Sequence, residues 1–299
     1  MDINKYEPTG KIGKNHLISL SNYSEEEIFE ILKLADHLSK AIAVGEKPTY
    51  LKNKKIALIA KNGLIRHRIA FESAVSSLSG TAVICSMSGS EIETLVDDKL
   101  TVDAIVGYGV NALVVQTEKP SDASSMEKLV NLPVISANGK CGPCEALSAL
   151  LTFWRKRGSF FGKKIAMIGD PNAFSDSVAY GFSICGFDIN FICPENLAVN
   201  APIDYCKQFG EATVYSDIRQ GLKGADAIFV SEDNLPEEFN LTEEVYSVCE
   251  NAAIFHVLPV LKNGNISPDL LSSPNFYGLE EALSLPQIEM SALCLLMKK

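Results

Sequence analysis

Short apolar runs alternate along this chain with stretches in which apolar residues recur every three or four positions. The first such stretch, residues 24–40, sets Ile28, Ile31, Leu32 and Ala35 on one face, with Ser24 as N-cap and Glu27 three residues on, and predicts a helix. "KKIALIA" (54–60) reads as a buried strand, followed by a loop and a helix over residues 69–78. "TAVICS" (81–86), "NALVVQT" (111–117) and "LPVISA" (132–137) predict three more strands, and residues 144–154 are helical in pattern. "KKIAMIGD" (163–170) opens a second series. In it "DINFICPE" (188–195), "ATVYSD" (212–217), "DAIFVSE" (226–232) and "AAIFHVLP" (252–259) alternate with helix-like segments such as 176–184 and 203–209. The tail, residues 286–297, predicts an amphipathic closing helix, and no repeat or low-complexity linker interrupts the order.

Strands that alternate with helices imply parallel sheets covered on both faces. The expectation is an α/β protein of two doubly wound parallel-sheet lobes. The first spans residues 1–150 with the closing segment 286–299 packed back on it, and the second spans 151–285. At 299 residues, 46% of them hydrophobic, the chain is long enough for two lobes with separate cores. The net charge of −10 argues against nucleic acid and anionic membranes as partners, because nothing basic is in surplus to neutralise phosphates. No apolar run could span a bilayer, and "MDINKYEPTGKIGKNHL" is too polar for a signal peptide, so a cytoplasmic location is expected.

Candidate chemistry is sparse. Cys85, Cys185, Cys193 and Cys294 sit in apolar runs and read as core residues. Only Cys141 and Cys144 have metal-ligand spacing, and His16, His37, His67 and His256 are scattered, so no zinc site or other metal is expected. "CGPC" at a helix start has the spacing of a thioredoxin-type site, yet no tryptophan precedes it and no short redox domain surrounds it. "KKIAMIGDPNAFSDS", with Glu195 ending the next strand, raises a dinucleotide site. Only Gly169 of the required glycines is present, with Pro171 and Phe174 in the turn, so bare doubly wound architecture explains the stretch better. No cofactor is implied.

Five stretches in order resemble the aspartate/ornithine carbamoyltransferase family, the ornithine branch more closely. "LKNKKIALIAKNGLIRHRIAFESAVSSLSG" is similar to its first strand, phosphate loop and following helix. "CGPCEALSALLTF" is similar to its His-Pro-x-Gln interdomain helix, "FGKKIAMIGDPN" to the first strand of its amino-acid lobe, and "FHVLP" to its His-Cys-Leu-Pro segment, while "HLISLSNYSEEEIFEILKLADHL" opens the resemblance. The resemblance implies a two-lobed fold, a homotrimer and a reaction in which an amine attacks the carbonyl of carbamoyl phosphate and phosphate leaves. Such a protein binds a dianion and polarises a carbonyl. The family does so with a Ser-Thr-Arg-Thr-Arg loop at a helix N-terminus, a further arginine, and the histidine of His-Pro-x-Gln.

Placed on those motifs, this chain departs widely. The loop reads Leu64-Ile65-Arg66-His67-Arg68, keeping both arginines without the hydroxyls. Gln116 stands at the further arginine, Gly142 at the histidine and Glu145 at the glutamine, where a carboxylate expected to face the cleft would repel phosphate. Ala173, beside Asn172, stands at a substrate asparagine. Ser231 stands near the family aspartate, and Val257 replaces the cysteine between His256 and Leu258. Residues 80–98 hold no lysine of the kind some members lend to a neighbouring site, and "LSLPQIEM" lacks the late arginine. Cys144 and Pro143 fall on the family's own cysteine and proline, so the resemblance reads "CGPC" as a family remnant.

The candidates are therefore Arg66 and His256 for catalysis. For a small ligand, an amino acid or an anion, they are Arg66, His67, Arg68, Gln116, Glu145, Asn172, His256 and Leu258. Arg66 reads as an anion contact, Arg68 as a loop brace or a partner for Glu72, and His67 as a space-filling substitute. Three functions fit these residues: a carbamoyltransferase working with unfamiliar groups, a paralogue with a less anionic ligand, and a silent or regulatory subunit. A thiol-redox role for "CGPC" is the remote fourth.

Overall fold

The computed structural model describes residues 1–61, 65–117, 119–137, 142–174, 177–231, 235–249, 251–261 and 264–298. The chain divides into two compact units, Glu7–Cys144 with Leu285–Lys299, and Met1–Tyr6 with Glu145–Ser284. Each holds one parallel sheet with helices around it, the α/β class that the alternating pattern predicts.

The first unit opens with α1 (Glu25–Ala43), started by a reciprocal cap. Ser24 Oγ accepts from the Glu27 amide at 3.2 Å, and the Glu27 carboxylate accepts from the Ser24 amide at 3.1 Å. Then come β1 (Lys55–Lys61), α2 (Ile65–Ser77), β2 (Thr81–Met87), α3 (Gly89–Asp97), α4 (Lys99–Gly107), β3 (Ala112–Gln116), α5 (Pro120–Leu129) and β4 (Val134–Ser136). The sheet order is β2-β1-β3-β4, all parallel. Ile56 to Ala60 of β1 are all buried, because helices cover both faces of the sheet. Strand order reverses between β1 and β3, and the register Ala60↔Gln116 brings the ends of these two strands together. In open α/β sheets that reversal point, beyond the strand C-termini, is where ligands bind.

Two helices in this unit carry signals that the periodicity reading passes over. Ser88 and Glu91 form a second capping box ahead of Ile92, Leu95 and Val96, and Asp98 accepts from the Leu100 and Thr101 amides at 3.1 Å to begin α4. The helix predicted from residue 69 begins at Ile65. Its inward face is His67, Ala70, Phe71, Ala74 and Val75, while Ile65 and Ile69 point outward, so a polar residue inside and apolar ones outside mask the first turn.

The second unit contains α6 (Pro143–Arg157), whose first two residues precede the division, then β5 (Lys164–Ile168), α7 (Pro171–Phe174), α8 (Val178–Ile184), β6 (Asp188–Ile192), α9 (Ile203–Cys206) and β7 (Ala212–Tyr215). It continues with α10 (Ile218–Leu222), β8 (Ala227–Val230), α11 (Glu243–Tyr246), β9 (Ala253–His256) and α12 (Pro268–Leu271). Its parallel sheet runs β7-β6-β5-β8-β9, with the reversal between β5 and β8. Phe187 packs edge-on against Phe153 and Phe182 at ring separations of 5.2 and 4.9 Å, and Ile168, Ile192, Ile228 and Ile254 belong to a second buried cluster. Gly221 permits the close approach of α10 to β6, since a Cβ there would lie 2.4 Å from Ile192 Cγ1.

The closing helix, α13 (Gly278–Leu296), begins eight residues before the predicted start and carries Pro286 inside it. Proline is at home in a helix's first turn, which makes it an attractive start signal, yet here the chain stays helical through it. The part of α13 from Leu285 onward packs on the first lobe, where Ser291 Oγ donates to the Ile31 carbonyl at 2.7 Å and Ile288, Leu293 and Cys294 are buried. Among the described residues, no helix is long and apolar enough to cross a membrane.

Candidate functional site

In the first unit the candidates gather around the C-terminal ends of β1 and β3. Arg66 and His67 lie in the first turn of α2, the helix that follows β1, and Arg66 donates from Nη2 to His67 Nε2 at 3.1 Å. A guanidinium can only donate, so His67 accepts at Nε2 and carries its single proton on Nδ1. Burial, and then the charge of Arg66, push the His67 pKa down to about 3. The imidazole is neutral at physiological pH, and a bond to it does not neutralise the guanidinium.

Arg68 points the other way, donating from Nη1 to Ser86 Oγ on β2 at 3.1 Å; it ties helix to strand. Gln116, at the end of β3, is fully buried. Leu64 of the loop lies outside the described residues, as does Cys141 of "CGPC". Cys144 is buried in the first turn of α6, and its thiol donates to the Ser136 carbonyl at 3.7 Å.

In the second unit Glu145, also in the first turn of α6, is fully buried. His256 ends β9 beside Val230, its register partner on β8, and its Nδ1 lies 2.7 Å from the Val230 carbonyl. A carbonyl can only accept, so Nδ1 is the donor in this contact. Ser231 follows Val230 at the reversal point between β5 and β8, with its amide donating to the Ile168 carbonyl at 3.1 Å. Its buried hydroxyl has no hydrogen-bond partner among the described residues. Ser231 belongs with His256 as a candidate, and the signal for it was a polar residue closing an apolar strand at its C-terminal end. Asn172 is exposed in α7, its amide donating to Asp170 Oδ1 at 3.0 Å in a tight turn, and Leu258 is half-buried, joined to Pro259 by a cis peptide bond.

Two arginines of this unit are engaged in its framework. Arg157 donates to the Asn251 carbonyl at 2.7 Å and to Asn275 Oδ1 at 3.0 Å, and Arg219 meets Glu244 at 2.6 Å. His256 and Ser231 are hydrogen-bonding groups, suited to a polar ligand. Among the described residues, no group of three or more His, Cys, Asp or Glu side chains is placed to hold a metal ion.

Residues 15–155 match the family model for the aspartate/ornithine carbamoyltransferase carbamoyl-P binding domain, and residues 161–296 match that for the Asp/Orn binding domain. The ornithine carbamoyltransferase of Methanosarcina acetivorans is 27% identical over 289 residues, covering 90% of this chain and 94% of that protein. That of Bacillus subtilis is 28% identical over 298 residues, covering 92% and 91%. Among solved structures, ornithine carbamoyltransferase from Pyrococcus furiosus superposes with a TM-score of 0.84 at 22% identity, covering 95% of this chain and 97% of that one, and shares its fold. With both domains matched in order along nearly its whole length, the chain belongs to the aspartate/ornithine carbamoyltransferase family.

Proposed function

We propose that this protein keeps the carbamoyltransferase scaffold without transferring carbamoyl groups from carbamoyl phosphate, and that it binds a small polar ligand less anionic than that substrate. The observation that carries the reading is the pairing of Arg66 with His67. The cation retained from the phosphate loop is held by a buried, neutral imidazole at a position where the family has a hydroxyl residue. A dianion needs several charge-assisted donors converging on it. Here Ile65 and Gln116 replace a hydroxyl residue and an arginine, and Arg68 and Arg157 have protein partners. On the amino-acid side, the buried hydroxyl of Ser231, with His256 on the neighbouring strand, favours a ligand with a hydrogen-bonding group such as an amine or amide.

Isothermal titration of the purified protein against carbamoyl phosphate, ornithine and a panel of neutral amino acids and amides tests this. The expected result is heat from an amine- or amide-bearing ligand, lost in His256→Phe, and none from carbamoyl phosphate. Saturable carbamoyl phosphate binding would favour a working transferase. Silence across the panel, with capture of an intact carbamoyltransferase subunit, would favour a regulatory role.

The assembly inferred is a homotrimer, as in the family. Ile65 and Ile69, one helical turn apart on α2, are 68% and 58% exposed, and Val83 on the edge strand β2 is 39% exposed. Apolar side chains left open on neighbouring elements are what a protein–protein contact covers.

A further inference from the structure

A concave site lies in the first unit, at the end of the sheet opposite the strand C-termini. A cavity of about 420 Å³ opens beside Lys54, Asn111 and Pro133, the residues that directly precede β1, β3 and β4. The family's chemistry takes place where these strands end; this cavity is where they begin.

Its polar lining includes Asn15 and Asn131, and three further side chains offer hydrogen-bond donors, two of them oriented by local bonds. Asn111 Oδ1 accepts from the Lys55 amide at 2.9 Å, which leaves its NH₂ as the group to offer a ligand. His16 Nδ1 accepts from the Val134 amide at 3.2 Å, so the neutral ring carries its proton on Nε2. Lys54 adds an ammonium, and among the described residues no Asp or Glu lines this cavity. Val130, Leu132 and Met297 supply an apolar wall. An adjoining cavity of about 390 Å³ shares His16 and contains Glu127, whose carboxylate lies 4.0 Å from His16 Nε2. One cation, two neutral donors and an acid close by suit a single negative charge and disfavour a dianion.

We propose that this cavity binds the carboxylate of a small monocarboxylic metabolite. The oxygens accept from Lys54 Nζ, Asn111 Nδ2 and His16 Nε2, and a short apolar chain lies against Val130, Leu132 and Met297. A carboxylate has lone pairs for all three donors, and hydrogen bonds to a charged group are the strong ones.

The experiment is a thermal-shift and calorimetric titration of the full chain with 4-methylpentanoate, its uncharged amide, and inorganic phosphate. The carboxylate is expected to raise the melting temperature saturably, and the amide and phosphate to leave it unchanged. Asn111→Asp keeps an acceptor for the Lys55 amide while turning the donor into a carboxylate oxygen. It should weaken binding about tenfold or more, the scale of one charged hydrogen bond. Lys54→Gln, a substitution at an exposed position, should do the same and carries the test if the Asp variant folds poorly. Arg66→Ala, at the opposite end of the sheet, should leave the shift intact. The proposal is overturned by no saturable shift, by equal stabilisation from phosphate, by binding that survives both cavity variants, or by binding lost in Arg66→Ala.

Discussion

Arg66 and His67 are sequence neighbours whose side chains meet at 3.1 Å, the guanidinium donating to an imidazole that burial keeps neutral. The contact takes one donor of Arg66, and the buried imidazole makes stability depend on pH. Folding lowers the His67 pKa from an unperturbed 6.5 to about 3. Above pH 6.5 both states are neutral and this group contributes no slope. As pH falls from 6.5 toward 3, the unfolded chain takes a proton that the folded chain refuses, and stability is lost at up to about 1.4 kcal/mol per pH unit. His67→Gln keeps an acceptor for Arg66 and removes the titration. Urea unfolding should show the stability gap between the two proteins moving by about 2 kcal/mol in the variant's favour from pH 6.5 to 4.5. A gap that stays constant over that range would mean His67 titrates normally.

Cys144 is predicted to take no part in dithiol chemistry. Its thiol is buried and directed at the Ser136 carbonyl, so a disulfide substrate has no line of attack. An insulin-reduction assay should give the uncatalysed rate, and a thiol reagent applied to the native protein should leave Cys144 unlabelled. Activity comparable to a thioredoxin and abolished by Cys144→Ser would overturn the remnant reading.

If Ile65, Ile69 and Val83 are covered by a neighbouring subunit, light scattering at micromolar concentration should give about three times the chain mass of 32.5 kDa. Ile69→Lys places a charge in that contact and should shift the mass toward the single chain, with the fold retained by circular dichroism. A wild-type protein that runs as a monomer contradicts the inferred trimer.

The fold was legible because buried parallel strands leave an unbroken apolar signature. "KKIALIA" became β1 and "DAIFVSE" became β8 with boundaries displaced by a residue or two. Helices whose faces break the usual rule were harder. The inward face of α2 contains His67 and its outward face Ile65 and Ile69, while α3 and α4 are announced by the caps Ser88 and Asp98 more than by their periodicity. For the site, the family motifs offer Arg66, Gln116 and His256 as candidate positions. What the sequence withheld were facts of hydrogen bonding: that Arg66 is engaged by its own neighbour, that Arg68 turns to Ser86, and that His256 Nδ1 meets the Val230 carbonyl.

Carbamoyl transfer itself is the most direct test of the central claim. This chain lacks hydroxyls at Leu64 and Ile65, an arginine at Gln116 and a histidine at Gly142. Hydrogen bonds to charged groups contribute about 1.5–3 kcal/mol each. Four such losses would cost on the order of 6–12 kcal/mol if additive, or about four to nine decades in rate. Such groups act together and do not sum, yet the lower end already silences an ordinary enzyme. A colorimetric citrulline assay, with purified protein, ornithine and carbamoyl phosphate at millimolar concentration, is predicted to show no turnover above the protein-free control. A turnover number of about one per second, ordinary for an enzyme, and lost in Arg66→Ala would contradict the account.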